Sequence, residues 1–171
     1  MELRLAASDD LSKIQAMYRN IIRNMNENTI SIWDEVYPCE FFKNDIEQNR
    51  LYVLEEHDEI CSAFALCDSN SGAGDVRWKN NDSTAVYIER LGVHVDYLGN
   101  GIGSMLLHQA VELAKQKGAD YVRLFVADIN KPAIHLYVKN KFEMADGIYE
   151  ERIDDNLILH ELGFEIKISR E

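Results

Sequence analysis

Three glycines at alternate positions, Gly99, Gly101 and Gly103, follow the apolar stretch Leu91-Gly92-Val93-His94-Val95 and precede an amphipathic segment starting at Ser104. This order reads as strand, turn and helix. Glycines let backbone N–H groups converge without obstruction from a Cβ. The helix behind them adds unpaired N–H groups and the positive end of its dipole. Such a turn can hold a phosphate or pyrophosphate. The same spacing also suits a plain tight connection that binds nothing. Two phosphate motifs are excluded. The dinucleotide fingerprint needs G-x-G-x-x-G, whereas this turn is G-x-G-x-G with Ser at 104, and the Gly-Lys-Ser/Thr of the Walker loop is absent.

The turn must be carried by a sheet and its helices. Leu3-Arg4-Leu5 reads as a strand, with Ser8 capping a helix whose apolar period runs Leu11, Ile14, Tyr18, Ile21, Ile22, Met25. Residues 26–38 break that period and carry Trp33 and Tyr37. A short helix is expected over 40–49. Strands over 51–54 and 60–67 flank the polar turn Glu56-His57-Asp58 as a hairpin. Residues 69–83 read as loop and include Trp78. The spacing predicts a strand over 85–95, a helix over 104–117 and a buried strand over 121–126. A helix over 130–140 has Pro132 in its first turn, and strands over 142–152 and 157–168 follow. The expected fold is α/β (α+β), a mixed central sheet of about seven strands flanked by helices. No linker-like tract interrupts the 171 residues, so a single domain over 1–171 is expected.

Composition narrows the partners. The net charge of −12 comes from 18 basic and 30 acidic residues. Such a surface repels phosphate backbones, which argues against nucleic acid, and mildly attracts cations. No apolar run reaches the roughly 18–20 residues of a membrane span. The N-terminus lacks the order of a signal peptide, so a cytoplasmic protein off the membrane is expected. Cys39, Cys61 and Cys67 give no disulfide framework. The five histidines show no zinc spacing, so no metal is expected.

The glycine turn resembles the acyl-CoA pyrophosphate loop of the GNAT (GCN5-related) N-acetyltransferase superfamily, usually written Arg/Gln-x-x-Gly-x-Gly/Ala. Gly101 and Gly103 match its two small positions, and Leu98 stands where Arg or Gln is usual. The stretch from Asn130 to Phe142, with Ala133, Leu136 and Tyr137, resembles the family's Asn-x-x-Ala-x-x-Leu-Tyr-x-x-x-Gly-Phe helix, with Lys141 in place of Gly. The element order resembles the family along essentially the whole chain.

The resemblance implies acetyl-CoA as cosubstrate and an amine as acceptor. It implies that backbone groups of Leu91, Val93 and Val95 hold the pantetheine arm, the N–H at Val93 facing the thioester. Gly99, Asn100, Gly101, Gly103 and Ser104 would hold the pyrophosphate. Asn130 would contact the CoA arm, though an Asn there also suits a helix N-cap. Tyr137 would stand near the CoA sulfur as acid or donor, or be a core tyrosine. Glu89 shares a strand face by alternation with Tyr87, Leu91 and Val93 and is the candidate base, with an ion pair to Arg90 as its plainer role. Tyr87 and Glu161 are the fallbacks. Trp33 and Tyr37 are candidates to shape the acceptor pocket. A catalytically silent CoA-binding or sensing module, and an interaction domain, are the rival readings. A homodimer is common in similar proteins.

Overall fold

The structure is a computed structural model that describes residues 1–170. Its elements in chain order are β1 (Glu2–Leu5), α1 (Leu11–Glu27), α2 (Cys39–Glu47), β2 (Leu51–Glu56), β3 (Glu59–Cys67), β4 (Ala85–Val93), α3 (Ile102–Gln116), β5 (Tyr121–Ala127), α4 (Lys131–Lys139), β6 (Glu143–Met144), β7 (Tyr149–Asp154) and β8 (Leu157–Lys167). Mixed parallel and antiparallel pairing with four helices is the expected class. The described residues form eight strands rather than about seven, because the stretch expected as one strand over 142–152 divides. Gly147 adopts φ +97° between the two pieces, a conformation no regular strand residue takes.

The chain forms two compact units. The first comprises Met1–Leu66 and Glu89–Ile102, the second Cys67–Ile88 and the chain from Gly103 onward. In the first, β1 pairs antiparallel with β2, and β2 with β3 as the expected hairpin. Helix α1 buries Ile14, Met17, Tyr18 and Ile21, spaced on one helical face. Tyr18 meets Phe42 of α2 edge-on at 4.6 Å, and Ile14, Leu51, Val53 and Phe64 are fully buried as well. Each such side chain contributes roughly 1.5–3 kcal/mol by leaving water.

Ser8 makes no capping bond, contrary to expectation. Asp10 is the N-cap residue of α1 instead, and it makes no side-chain cap bond, its carboxylate turning back to the residues before it. Its Oδ2 accepts the Ala7 N–H at 2.7 Å, and both its oxygens accept from Arg4 at 2.7 and 3.0 Å. A short 3-10 turn over Ser8–Asp10 brings Asp10 rather than Ser8 to the start of α1.

In the second unit, β4 runs parallel to β5 over Ala85–Ile88, β5 is antiparallel to β8, and β6 and β7 both pair with β8. Leu106, Leu107, Ala110 and Ala114 form the buried stripe of α3.

Candidate active site

Past Ile88 the registered ladder to β5 ends, and β4 continues to Val93. Here Leu91 and Val93 are half-buried while Arg90 and Gly92 are buried. Glu89 alternates with them as expected and is half-buried, but Arg90 adopts φ +57°. The strand is therefore not regular across the site. Val95 is a correction: it lies outside β4, in a 3-10 turn over Val95–Tyr97. His94 ends the strand by capping that turn, its Nδ1 accepting the Asp96 N–H at 3.0 Å.

The glycine turn has the conformation its sequence calls for. Gly99 and Gly101 adopt φ +80° and +77°, and a Cβ at either would meet nothing within 4 Å. These two glycines are thus there for backbone conformation and not for space. Asn100 lies exposed between them, and α3 begins at Ile102. Gly103 serves differently. A Cβ there would lie 2.8 Å from Leu136 Cδ2, so its absence lets the start of α3 pack on α4. Ser104 Oγ accepts from Asn140 Nδ2 at 3.0 Å and ties the same two helices together. Open space over left-handed glycines, backed by a helix N-terminus, fits a bound pyrophosphate. Leu98 is 53% exposed at the entrance to the turn.

Asn130 is the N-cap of α4, its Oδ1 accepting the Ala133 N–H at 3.3 Å. Tyr137 is buried beside Phe142 and Phe164, with ring centroids 6.2 and 6.1 Å away. Burial pushes its hydroxyl well above the ordinary tyrosine value, so at neutral pH it keeps its proton and can donate.

The acidic candidate sits in a charged cluster. Glu89 Oε2 lies 3.5 Å from Arg90 Nη1. Arg90 in turn donates from Nε and Nη2 to the two oxygens of Asp45, both at 2.8 Å. Asp45 is fully buried and also accepts from Arg50 Nε at 2.7 Å. Burial opposes the Arg90 charge, but Asp45 outweighs it and the guanidinium stays charged. Asp45 and its grip on Arg90 were missed in the sequence. The one signal was the adjacent charged pair Glu89 and Arg90 within the otherwise largely apolar run from Ala85 to Val93.

Trp33 is half-buried against Tyr18 at 5.6 Å, and Tyr37 meets Phe41 edge-on at 5.3 Å. Both anchor the segment between α1 and α2. Tyr87 and Trp78 belong to a buried cluster with Val76 and Ala145, which leaves Tyr87 a poor fallback base. Trp78 is a core residue: its Nε1 donates to the Ala73 carbonyl at 3.0 Å, and Arg123 lies 4.6 Å over its ring. Glu161 is half-buried in β8, opposite Ala127 and Tyr149. By unit, the first carries Trp33, Tyr37, Glu89, Leu91, Val93, Val95, Gly99, Asn100 and Gly101, and the second Gly103, Ser104, Asn130 and Tyr137. Cys61 and Cys67 are buried thiols. Among the described residues no helix is long and apolar enough to cross a membrane.

The sequence matches the acetyltransferase (GNAT) family over residues 16–142, and the chain belongs to that family. It is 32% identical over 111 residues to streptothricin acetyltransferase A of Bacillus subtilis, a match covering 64% of this chain and 62% of that enzyme's length. The fold matches a GNAT-family acetyltransferase from Streptococcus agalactiae with a TM-score of 0.78 at 16% identity, over 99% of this chain and 96% of that one. It also matches the yncA protein of Salmonella typhimurium, solved with its cofactor acetyl-CoA. That match has a TM-score of 0.67 at 17% identity, over 99% of this chain and 95% of the other.

Proposed function

We propose that this chain moves an acetyl group from acetyl-CoA to a primary amine by direct attack in a ternary complex. The observation that carries the reading is the turn at Gly99–Gly101, left-handed at both glycines and opening on the start of α3. In this reading the backbone around Leu91 and Val93 orients the pantetheine arm. The turn and the first residues of α3 hold the pyrophosphate, and Asn130 supports the CoA arm. Glu89 takes a proton from the ammonium, directly or through water. The amine nitrogen then attacks the thioester carbon, the C–N bond forms and the C–S bond breaks. The Val93 N–H steadies the oxygen as charge develops. Tyr137 donates a hydrogen bond to the departing sulfur, which takes up the second proton as the acetylated nitrogen sheds it. Trp33 and Tyr37 line the acceptor side, and the acidic surface favours a cationic acceptor. Cytoplasmic placement, a single domain and a homodimer complete the reading.

Direct attack is tested by initial rates with both substrates varied. Intersecting reciprocal lines are expected. Parallel lines would mean a covalent acyl-enzyme and overturn the mechanism. Binding of acetyl-CoA with no turnover on any amine would instead favour the silent binding module.

Tyr137→Phe keeps the ring packed between Phe142 and Phe164 and removes only the hydroxyl. Because a thiolate is a good leaving group, the expected fall in kcat is modest, about 10–10²-fold. The KM for acetyl-CoA should hardly change. Equal kcat in variant and wild type would make Tyr137 a packing residue only.

A further inference from the structure

Six non-glycine residues have positive φ among those described, and five of them lie in turns or just past helix ends. Arg90 alone lies inside a strand. No turn requires its left-handed backbone, and a residue with a Cβ disfavours that region. Something must therefore hold it there, and the first unit shows what does. The Arg90 carbonyl accepts from the Tyr18 hydroxyl, which also lies 3.3 Å from the Ala63 carbonyl. The Arg90 side chain is gripped by α2. Phe41 and Asp45, one helical turn apart, present a ring 4.9 Å under the guanidinium and a carboxylate bonded to it twice at 2.8 Å. Arg50 Nε donates at 2.7 Å to the same Oδ1 of Asp45 that Arg90 Nη2 bonds, and its backbone N–H donates to the Asp45 carbonyl at 3.0 Å. A buried ion pair of this kind stabilises a fold little compared with apolar side chains of similar size, so its presence asks for another role.

We infer that Asp45 is a positioning residue for acyl transfer: through Arg90 it fixes the left-handed step in β4 that sets the direction of Leu91–Val93, the strand segment facing the thioester. This rests on the acetyl-transfer reading above. In this reading Asp45 acts through Arg90 and not on substrate or cofactor directly. The same grip sets Glu89, whose carboxylate follows the Arg90 guanidinium at 3.5 Å. One helix thereby orients both the backbone donor and the candidate base.

The test compares Asp45→Asn, Arg90→Ala, Arg90→Gly and the double variant Asp45→Asn/Arg90→Gly, with rates expressed per folded molecule. Asp45→Asn should lower kcat about 10²-fold, the scale of a small misplacement of reacting groups. Its affinity for free CoA should stay near the wild-type value, since the glycine turn is untouched. Arg90→Gly should keep more of kcat than Arg90→Ala, because glycine takes the left-handed conformation freely. The double variant should exceed Asp45→Asn alone, having lost the unpaired charge and kept the backbone step. A kcat per folded molecule equal to wild type in Asp45→Asn would overturn the inference and leave Asp45 a stability residue. If Asp45→Asn does not fold, equal kcat in the two Arg90 variants overturns it. A wild-type protein that transfers no acetyl group to any amine is a different outcome. It removes the reaction itself, whatever Asp45 does.

Discussion

Replacing Glu89 with glutamine is expected to lower turnover at neutral pH by about 10²–10⁴-fold, the usual range for loss of a general base. Glutamine keeps the shape of the side chain and abolishes its basicity. The ion pair at 3.5 Å to Arg90 is lost as well, but Arg90 keeps both bonds to Asp45, so the strand should hold its course. The pH profile separates the two roles. An alkyl ammonium has a pKa of about 10.4, so solvent supplies more free amine as pH rises toward that value. If Glu89 removes the proton, the deficit shrinks with rising pH. A deficit that stays constant would make Glu89 a positioning partner of Arg90. Full activity at neutral pH would exclude it as an essential base and move the search to Glu161 or water.

Gly101→Val should weaken acetyl-CoA binding about 10²-fold while the protein stays folded. At φ +77° a β-branched residue is strongly disfavoured, at a cost of about 1–3 kcal/mol. The Cβ itself meets nothing within 4 Å, so the unliganded turn can relax without a clash in the core. Binding would then have to restore the strained turn or lose some of its N–H donors. Either loss is of the order of a 10²-fold change in Kd. Calorimetric titration with acetyl-CoA measures it, and a thermal melt confirms folding. Unchanged affinity in a folded variant would remove the turn from the cofactor site. Gly103→Ala should behave differently, since its Cβ would press on Leu136 and its cost would fall on the packing of α3 against α4.

Elements with strong local signals were readable from the residues. The period of α1, the hairpin around His57 and Asp58, the glycine turn and the Asn130 cap each declare themselves within a few positions. The division of the strand expected over 142–152 hangs on the backbone of Gly147, which propensity does not resolve. Val95 reads as strand from its neighbours because nothing local announces that His94 will cap a turn. Arg90 was hardest. Arginine is not a residue that seeks a left-handed backbone, and what holds it there comes from Asp45 and Tyr18, 45 and 72 positions away. Alternation along β4 groups Glu89 with Leu91 and Val93, but it does not show that the strand changes course at Arg90, between them. Trp78 reads as a loop aromatic because Arg123, Phe125 and Ala145, which make it a core residue, are remote in the chain.

The most direct measurement is acetyl-CoA thiol release followed alongside product mass across a panel of amines that includes polyamines, amino-acid derivatives and peptides. The account predicts amine-dependent thiol release, with one acetylated amine formed per thiol, that Gly101→Val lowers about 10²-fold at subsaturating acetyl-CoA. No amine-dependent release above the enzyme-free rate at saturating acetyl-CoA, from protein shown to be folded, would contradict it.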